Sequence, residues 1–355
     1  MDDSREMTLE ASLDTLLREP PEAAKERAAT AFDKEAAPFQ NRFVLFGSGN
    51  TGRRILARLR EDGIEPLAFA DNGRSRWGST IDGLPVLSPA EAAARYGRTA
   101  AFIVTIYNRD HSFPDTRKQL LTLGCVKVIS VIPVRWKYHE TFLPHFRDDL
   151  PFNVLQDAES IREAHTLWAD EASRREFIAQ VVWRLTGDFD SLAAPYPDQY
   201  FPADLIQGIP DEFFVDVGAY NGDTVREFLK RRGHTFRKIV ALEPDQRNFV
   251  ELSECVRGLP ADISRKIDVL AFAASNRACR LRFSDGSDTS SALSDTGSVE
   301  VDCVRLDDLL ASSRPTFVKM DVEGAELDAI AGCTRILAEH APASEEAWHR
   351  EDRSE

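Results

Sequence analysis

Two stretches of the chain repeat one rhythm: a short apolar run, a glycine-bearing turn, then an amphipathic segment. The first opens at RFVLF and passes through GSGNTG into RRILARLREDG, where Ile55, Leu56 and Leu59 recur at helical spacing before Gly63. EPLAFADN predicts a second strand ending in an acid. IDGLPVLSPAEAAARYG predicts a turn and a helix, with Ser88 as cap and Pro89 at the first helical position. TAAFIVTIYN reads as a third strand, and TRKQLLTLGCVKVISVI as a helix and a fourth strand. Alternating strands and helices predict a parallel sheet with helices on its faces, over residues 41–134.

From Glu212 the alternation restarts. FFVDV, KIVALEPD and KIDVLAFAAS are expected strands, with DTVREFLKRRG and RNFVELSECVRGL as helices between them. Two short strands follow, CRLRFS and SVEVDCVRL, then TFVKMDVEGAE as a strand ending in charge and LDAIAGCTRILAEH as a helix. The fold class expected is α/β, with two Rossmann-like three-layer domains at 41–134 and 211–340. Residues 135–210 read as a helical bridge, closing with the ordered loop APYPDQYFPADL. Residues 1–40 read as a helical arm broken at Pro20-Pro21. The 341–355 tail is polar and carries no strand pattern, so the second sheet is expected to lack its last strands, as after a truncation or a shifted reading frame. An open apolar sheet edge invites pairing, here with a second copy of the chain.

Composition narrows the function classes. A chain of 355 residues with 43% apolar content is long enough for two packed domains. A formal charge of −15 argues against nucleic acid and against an anionic membrane surface as partner. The acidic amino terminus is no secretory signal, and no apolar run approaches the ~18 residues of a membrane span. A cytoplasmic protein is expected. The five cysteines lack Cys-x-x-Cys spacing, which argues for reduced thiols rather than a disulfide framework or a zinc site.

The turn FFVDVGAYNGDT carries chemistry of its own. Asp216 interrupts a buried strand near its carboxyl end, where open α/β sheets bind ligands. Gly218 and Gly222 allow close backbone approach, and the helix beginning near Asp223 offers free N–H groups. Two acids beside the turn repel a pyrophosphate and suit a cation. Glu243, about twenty residues past the turn, stands where an acid takes both hydroxyls of a ribose. A ribose-bearing cation without diphosphate is S-adenosylmethionine. The plain alternative is a strand–turn–helix with no ligand, but two acids in an apolar turn are costly without partners.

VDVGAYNGDT, ALEPDQRNF, VEVDCVRLDDLL and FVKMDVEGAE, in that order, resemble the FkbM family of S-adenosylmethionine-dependent methyltransferases. The resemblance covers about 197–338, and LFGSGNTG, FADN, IDGLPVLSP and IVTIYN resemble a partner domain of some members. It implies a class I methyltransferase fold and methylation of a small-molecule hydroxyl, on a sugar or polyketide-type acceptor. It also places Asp216, Gly218, Gly222 and Asp223 at the methionine end of the cofactor, Tyr220 among the cofactor-binding residues, Glu243 at the ribose, and Ala273 and Ala274 at the adenine edge.

KMDVEGAE gathers Lys319, Asp321, Glu323 and Glu326. Strand alternation puts Lys319 and Asp321 on one side. Asp321 or Glu323 is the candidate base, and Lys319 the candidate for keeping a carboxylate ionised or steadying a developing alkoxide. Carboxylates of this kind also bind divalent cations, although no metal site is predicted. Glu326 reads equally well as a favourable acid in a first helical turn. The segment Ser287–Ser298 reads as a lid or a plain hairpin connection, and His234 as a solvated turn residue.

GSGNTG, with Gly47, Gly49, Gly52 and the acid Asp71 downstream, fits the dinucleotide fingerprint. A nucleotide or nucleotide-sugar site, an NAD(H) site and an interaction domain all stand as readings of it. The chain lacks a catalytic pairing to receive a hydride, which leaves an NAD(P)-linked oxidoreductase as the alternative function and a non-catalytic truncated relative as a third.

Overall fold

The computed structural model describes residues 13–106, 111–143, 148–193, 200–202, 208–283, 299–322, 324–340 and 343–346, with 283, 299 and 343–346 described by backbone alone. The chain divides into two compact units, Met1–Ala194 and Pro195–Glu355.

The first unit is built on a six-stranded sheet of order β3-β4-β2-β1-β5-β6, with β1 Phe43–Phe46, β2 Ala68–Ala70, β3 Thr80–Ile81, β4 Leu84–Leu87, β5 Ala101–Val104 and β6 Val128–Ile129. All pairings are parallel except β3 with β4. The unbroken apolar run FVLF is explained by burial on both faces. Phe43 and Leu45 enter one core with Phe32, Ile55 and Leu59, while Val44 and Phe46 enter the other with Phe102 and Leu120. IDGLPVL, expected as a turn, supplies β3 and β4, and β4 pairs in parallel with β2. The helix Pro89–Tyr96 follows, with Ser88 Oγ accepting from Glu91 N at 3.2 Å. Phe32 and Ala36 of the helix Pro21–Ala36 lie in the first core, as do Trp136, Phe142 and Trp183. Helices Pro151–Gln156 and Glu171–Thr186 share a further cluster with Leu13, Leu17 and Ala24. The 13–40 and 148–193 stretches therefore pack as walls of this unit. Their apolar stripes, read as an arm and a bridge, needed a common core to bury against.

The second unit carries a parallel sheet of order β14-β13-β7-β8-β9, with β7 Phe213–Val217, β8 Lys238–Leu242, β9 Ile267–Leu270, β13 Phe317–Met320 and β14 Ala343–Glu346. Side chains alternate between two cores. Phe214, Ile239, Ala241 and Phe317 face one, with Phe201 and Phe228, while Phe213, Val215, Val217, Val240, Leu242 and Val318 face the other. Phe214 stacks on both Phe228 and Phe317, at centroid distances of 4.8 and 5.0 Å.

Two expectations are corrected here. KIDVLAFAAS is not one strand: it breaks after Leu270, and β10 Ala273–Ala274 joins a separate three-stranded sheet of order β10-β12-β11, with β11 Cys279–Phe283 and β12 Val299–Val304. The polar tail, expected to hold no strand, forms β14 in parallel register with β13, Phe317 opposite Ala343 and Met320 opposite Glu346. Strand pairing is made by backbone groups, so an exposed ladder recruits a following segment whose side chains show no strand pattern. Among the described residues no helix is long and apolar enough to cross a membrane.

Candidate active site

Adjacent parallel strands bring the charged residues of the second unit together. Register places Asp216 on β7 beside Lys319 on β13, two positions beyond the stacked pair Phe214 and Phe317. Both side chains thus emerge on the same face, at the carboxyl end, above an aromatic floor. Lys319 Nζ stands 3.1 Å from Asp216 Oδ1 and donates to the Gly218 carbonyl at 2.6 Å. Asp216 is fully buried, and among the described residues neither of its oxygens accepts a hydrogen bond. Burial pushes its carboxyl up to about 6 against the pull of the Lys319 ammonium, with Asp223 and Asp321 adding repulsion. Lys319 therefore does hold a carboxylate, but that carboxylate is Asp216.

The turn that follows β7 is wound through positive φ at Gly218 (+78°), Tyr220 (+47°) and Gly222 (+85°). At Gly218 a Cβ would meet the Asp321 carbonyl at 1.9 Å, so glycine is required where the two strand ends cross. At Gly222 a Cβ would crowd Leu252 at 3.1 Å. Arg226 clamps the turn through the Asn221 carbonyl and side chain at 3.0 and 3.1 Å. The helix Asp223–Arg232 begins directly, with Asp223 Oδ1 accepting from Thr224 N at 2.8 Å.

Glu243 follows β8. Its two oxygens accept from Tyr220 N at 2.8 Å and Asp245 N at 2.9 Å, tying the ends of neighbouring strands together. Burial raises its carboxyl to about 7 although those N–H groups favour the charged form. Ala273 and Ala274 are buried by side chain, Ala274 in the core beneath the sheet and Ala273 against Cys303 and Val301, so what they can offer a ligand is backbone.

Asp321 lies just past β13, half-buried, and its Oδ2 accepts from the Tyr200 hydroxyl at 2.6 Å. Lys319 Nζ sits 5.1 Å from the centre of the Tyr200 ring. Tyr200 is the member of this cluster that sequence reasoning missed. Its only signal was the density of aromatic residues and prolines in APYPDQYFPADL. Glu326 is buried and accepts from Val322 N and Gly324 N at 3.2 and 2.9 Å, which fastens the loop before the helix Glu326–Ala331. Glu323 and the Ser287–Ser298 segment lie outside the described residues. His234 is exposed, 3.8 Å from Asp262.

The first unit's turn is arranged differently. Asp71 Oδ2 accepts from Ser48 N, Ser48 Oγ and Arg76 Nη1 at 2.9, 2.6 and 3.1 Å, and its Oδ1 from Gly73 N at 2.8 Å. Burial alone would raise this carboxyl, but the hydrogen bonds from Ser48 and Gly73 and the charge of Arg76 hold it below its ordinary value. At Gly52 a Cβ would strike the Gly47 carbonyl at 2.1 Å, whereas at Gly49 it would meet nothing within 4 Å.

In the second unit, a parallel sheet of this order with a glycine turn after its middle strand and an acid after the next defines a class I methyltransferase fold. Residues 216–349 match the family model described as the methyltransferase FkbM domain. The match lies within the second unit and supports a methyltransferase domain there. A solved structure described as methyltransferase FkbM from Methylobacillus flagellatus KT is similar over 97% of this chain and 88% of that chain, at 23% identity and a TM-score of 0.71, which shows a shared fold. A UDP-D-quinovosamine 4-dehydrogenase from Vibrio fischeri aligns over 25% of this chain and 75% of that one, at 18% identity and a TM-score of 0.21, too low to support an argument. No protein among the curated sequences matches this chain.

Proposed function

We propose that the chain transfers a methyl group from S-adenosylmethionine to a hydroxyl of a small molecule, of the sugar or natural-product type. The observation that carries the cofactor is Asp216 at its glycine turn: a fully buried carboxylate that Lys319 neutralises from one side at 3.1 Å, with Asp223 and Asp321 adding further negative charge around it, an environment suited to a cationic group. The residues present fit such a cofactor. Asp216 and Asp223 supply negative charge, Gly218 and Gly222 supply close backbone, and Glu243, each of whose oxygens accepts a single backbone N–H, keeps a second lone pair on each for ribose hydroxyls. When bound, S-adenosylmethionine supplies an electrophilic methyl group on a sulfonium.

Lys319 fixes the Asp216 carboxylate and the Gly218 carbonyl, and so sets the shape of the turn rather than meeting the acceptor. Asp321, at the strand exit and oriented by Tyr200, is the group for taking a proton from an acceptor hydroxyl. Orientation of two reactants in one site is worth up to ~7–11 kcal/mol of barrier, and a positioned base a further 10²–10⁴-fold. Asp71 makes its hydrogen bonds inside its own turn, which counts against an NAD(H) ribose at that position.

Calorimetric titration with S-adenosylmethionine, its demethylated product and NAD(H) tests the reading. Micromolar binding of the first two is expected, lost in Asp216→Ala and weakened in Glu243→Gln with the fold retained by circular dichroism. NAD(H) binding alone by the folded protein would overturn it.

A further inference from the structure

The small sheet beside the candidate adenine edge holds a feature that methyl transfer does not use. Cys279 on β11 and Cys303 on β12 are direct partners in an antiparallel ladder. Directly opposed residues in such a pair have Cα atoms ~4.5–5.5 Å apart, within the ~4.4–6.8 Å span that a disulfide bridges. The two side chains turn to the same face, where both pack with Ala273, Val301 and Leu281, so the register sets the two thiols side by side. Both are free thiols, Cys303 buried and Cys279 half-buried. Of the other three cysteines, Cys125 and Cys333 are buried, and Cys255 belongs to the helix Gln246–Arg257.

We propose that Cys279 and Cys303 form a reversible thiol–disulfide site, oxidised by a low-molecular-weight disulfide of the glutathione class. The exposed edge of Cys279 makes it the entry point. Its thiolate attacks the small disulfide, a sulfur–sulfur bond forms to Cys279, and one small thiol leaves. Cys303, directly opposite on β12, then loses its proton to solvent and attacks the Cys279 sulfur, and the second small thiol leaves. The balance is two protein thiols and one small disulfide in, one protein disulfide and two small thiols out. Cys303 is also the register partner of Ala273 on β10, so the cross-link joins β11 to the strand that carries β10. The site thus tightens the sheet holding Ala273 and Ala274, and its formation does not depend on what those residues bind.

The test is equilibration of the full-length protein in glutathione buffers of graded disulfide-to-thiol ratio, acid quenching, and peptide mapping without reductant. The expected product is a peptide pair linked through Cys279 and Cys303, fully reversed by dithiothreitol. Cys303→Ser should stop at a stable glutathione adduct on Cys279, and Cys279→Ser should give neither product. Amide exchange at Val301–Val304 should slow at least tenfold in the linked protein. A folded wild-type chain that accumulates the Cys279 adduct without closing it, or that leaves both thiols reduced in the most oxidising buffer, overturns the proposal.

Discussion

The two glycine turns of this chain share a secondary-structure pattern and differ in where their polar groups are spent. In the first, Asp71 accepts four hydrogen bonds from its own unit, from Ser48 twice, from Gly73 and from Arg76. In the second, Asp216 is buried with an ammonium 3.1 Å away and no hydrogen bond among the described residues. Counting glycines and acids does not separate the two. What separates them is whether the acid's lone pairs are already satisfied, and that depends on neighbours far away in sequence, such as Lys319.

The largest effects come from breaking the second turn. Gly218→Val places a Cβ 1.9 Å from the Asp321 carbonyl at a φ of +78°. Relief requires the ends of β7 and β13 to part, and a loss of more than about 4 kcal/mol is expected. Gly49→Ala, in the first turn, meets no atom within 4 Å and keeps an ordinary φ of −78°. A change within about 0.5 kcal/mol is expected there. Urea melts of the two variants measure the contrast, and equal losses would mean that the turns are built alike.

Lys319→Met comes next. It leaves the Asp216 carboxyl buried and without its cation, a change that costs about 3–5 kcal/mol in comparable buried pairs. The double variant with Asp216→Asn should recover a large part of that loss, because no uncompensated charge remains. Absence of recovery would show that Lys319 acts through the Gly218 carbonyl instead.

Much of this was legible in the sequence. The FVLF and FFVDV runs announced strands buried on both faces, and the glycines announced the turns. The pairing of Lys319 with Asp216 was not, because it depends on the register between β7 and β13, which no local pattern records. Tyr200 was hidden for a related reason. Its role comes from a contact to Asp321, more than a hundred residues onward, while its own segment shows no periodicity. β14 escaped notice because an edge ladder selects backbone, and a polar ASEE segment can satisfy it.

Opposite pH responses sharpen the comparison. Glu243, raised to about 7 from an ordinary 4.5, holds its proton more tightly folded than unfolded. Its contribution to stability is fully present below pH 4.5 and is lost as pH rises to about 7, by on the order of 3 kcal/mol. Asp71 is lowered, so its contribution is present above its ordinary value and is lost as pH falls through its folded value. Stability measured by urea melts at stepped pH should therefore decline less between pH 4.5 and 7 in Glu243→Gln than in the parent. Asp71→Asn should leave that interval alone and flatten the acid limb.

The smallest expected effect falls on the first turn, and it is the one that can break the contrast. Arg76 keeps about half of its side chain exposed while it reaches Asp71 Oδ2 at 3.1 Å, an oxygen that Ser48 already holds twice. Removing an exposed ion pair costs ~0–1 kcal/mol, so Arg76→Met should melt with the parent. If the first unit only scaffolds, nothing else should change. If instead GSGNTG receives a phosphate, the same substitution removes a cation bonded to both Ser48 and Asp71. Affinity for a nucleoside diphosphate sugar, read by calorimetry, would then fall about tenfold while stability stayed fixed. A split of that kind would show that the first turn, with its acid satisfied internally, presents an arginine to the ligand in place of the carboxylate.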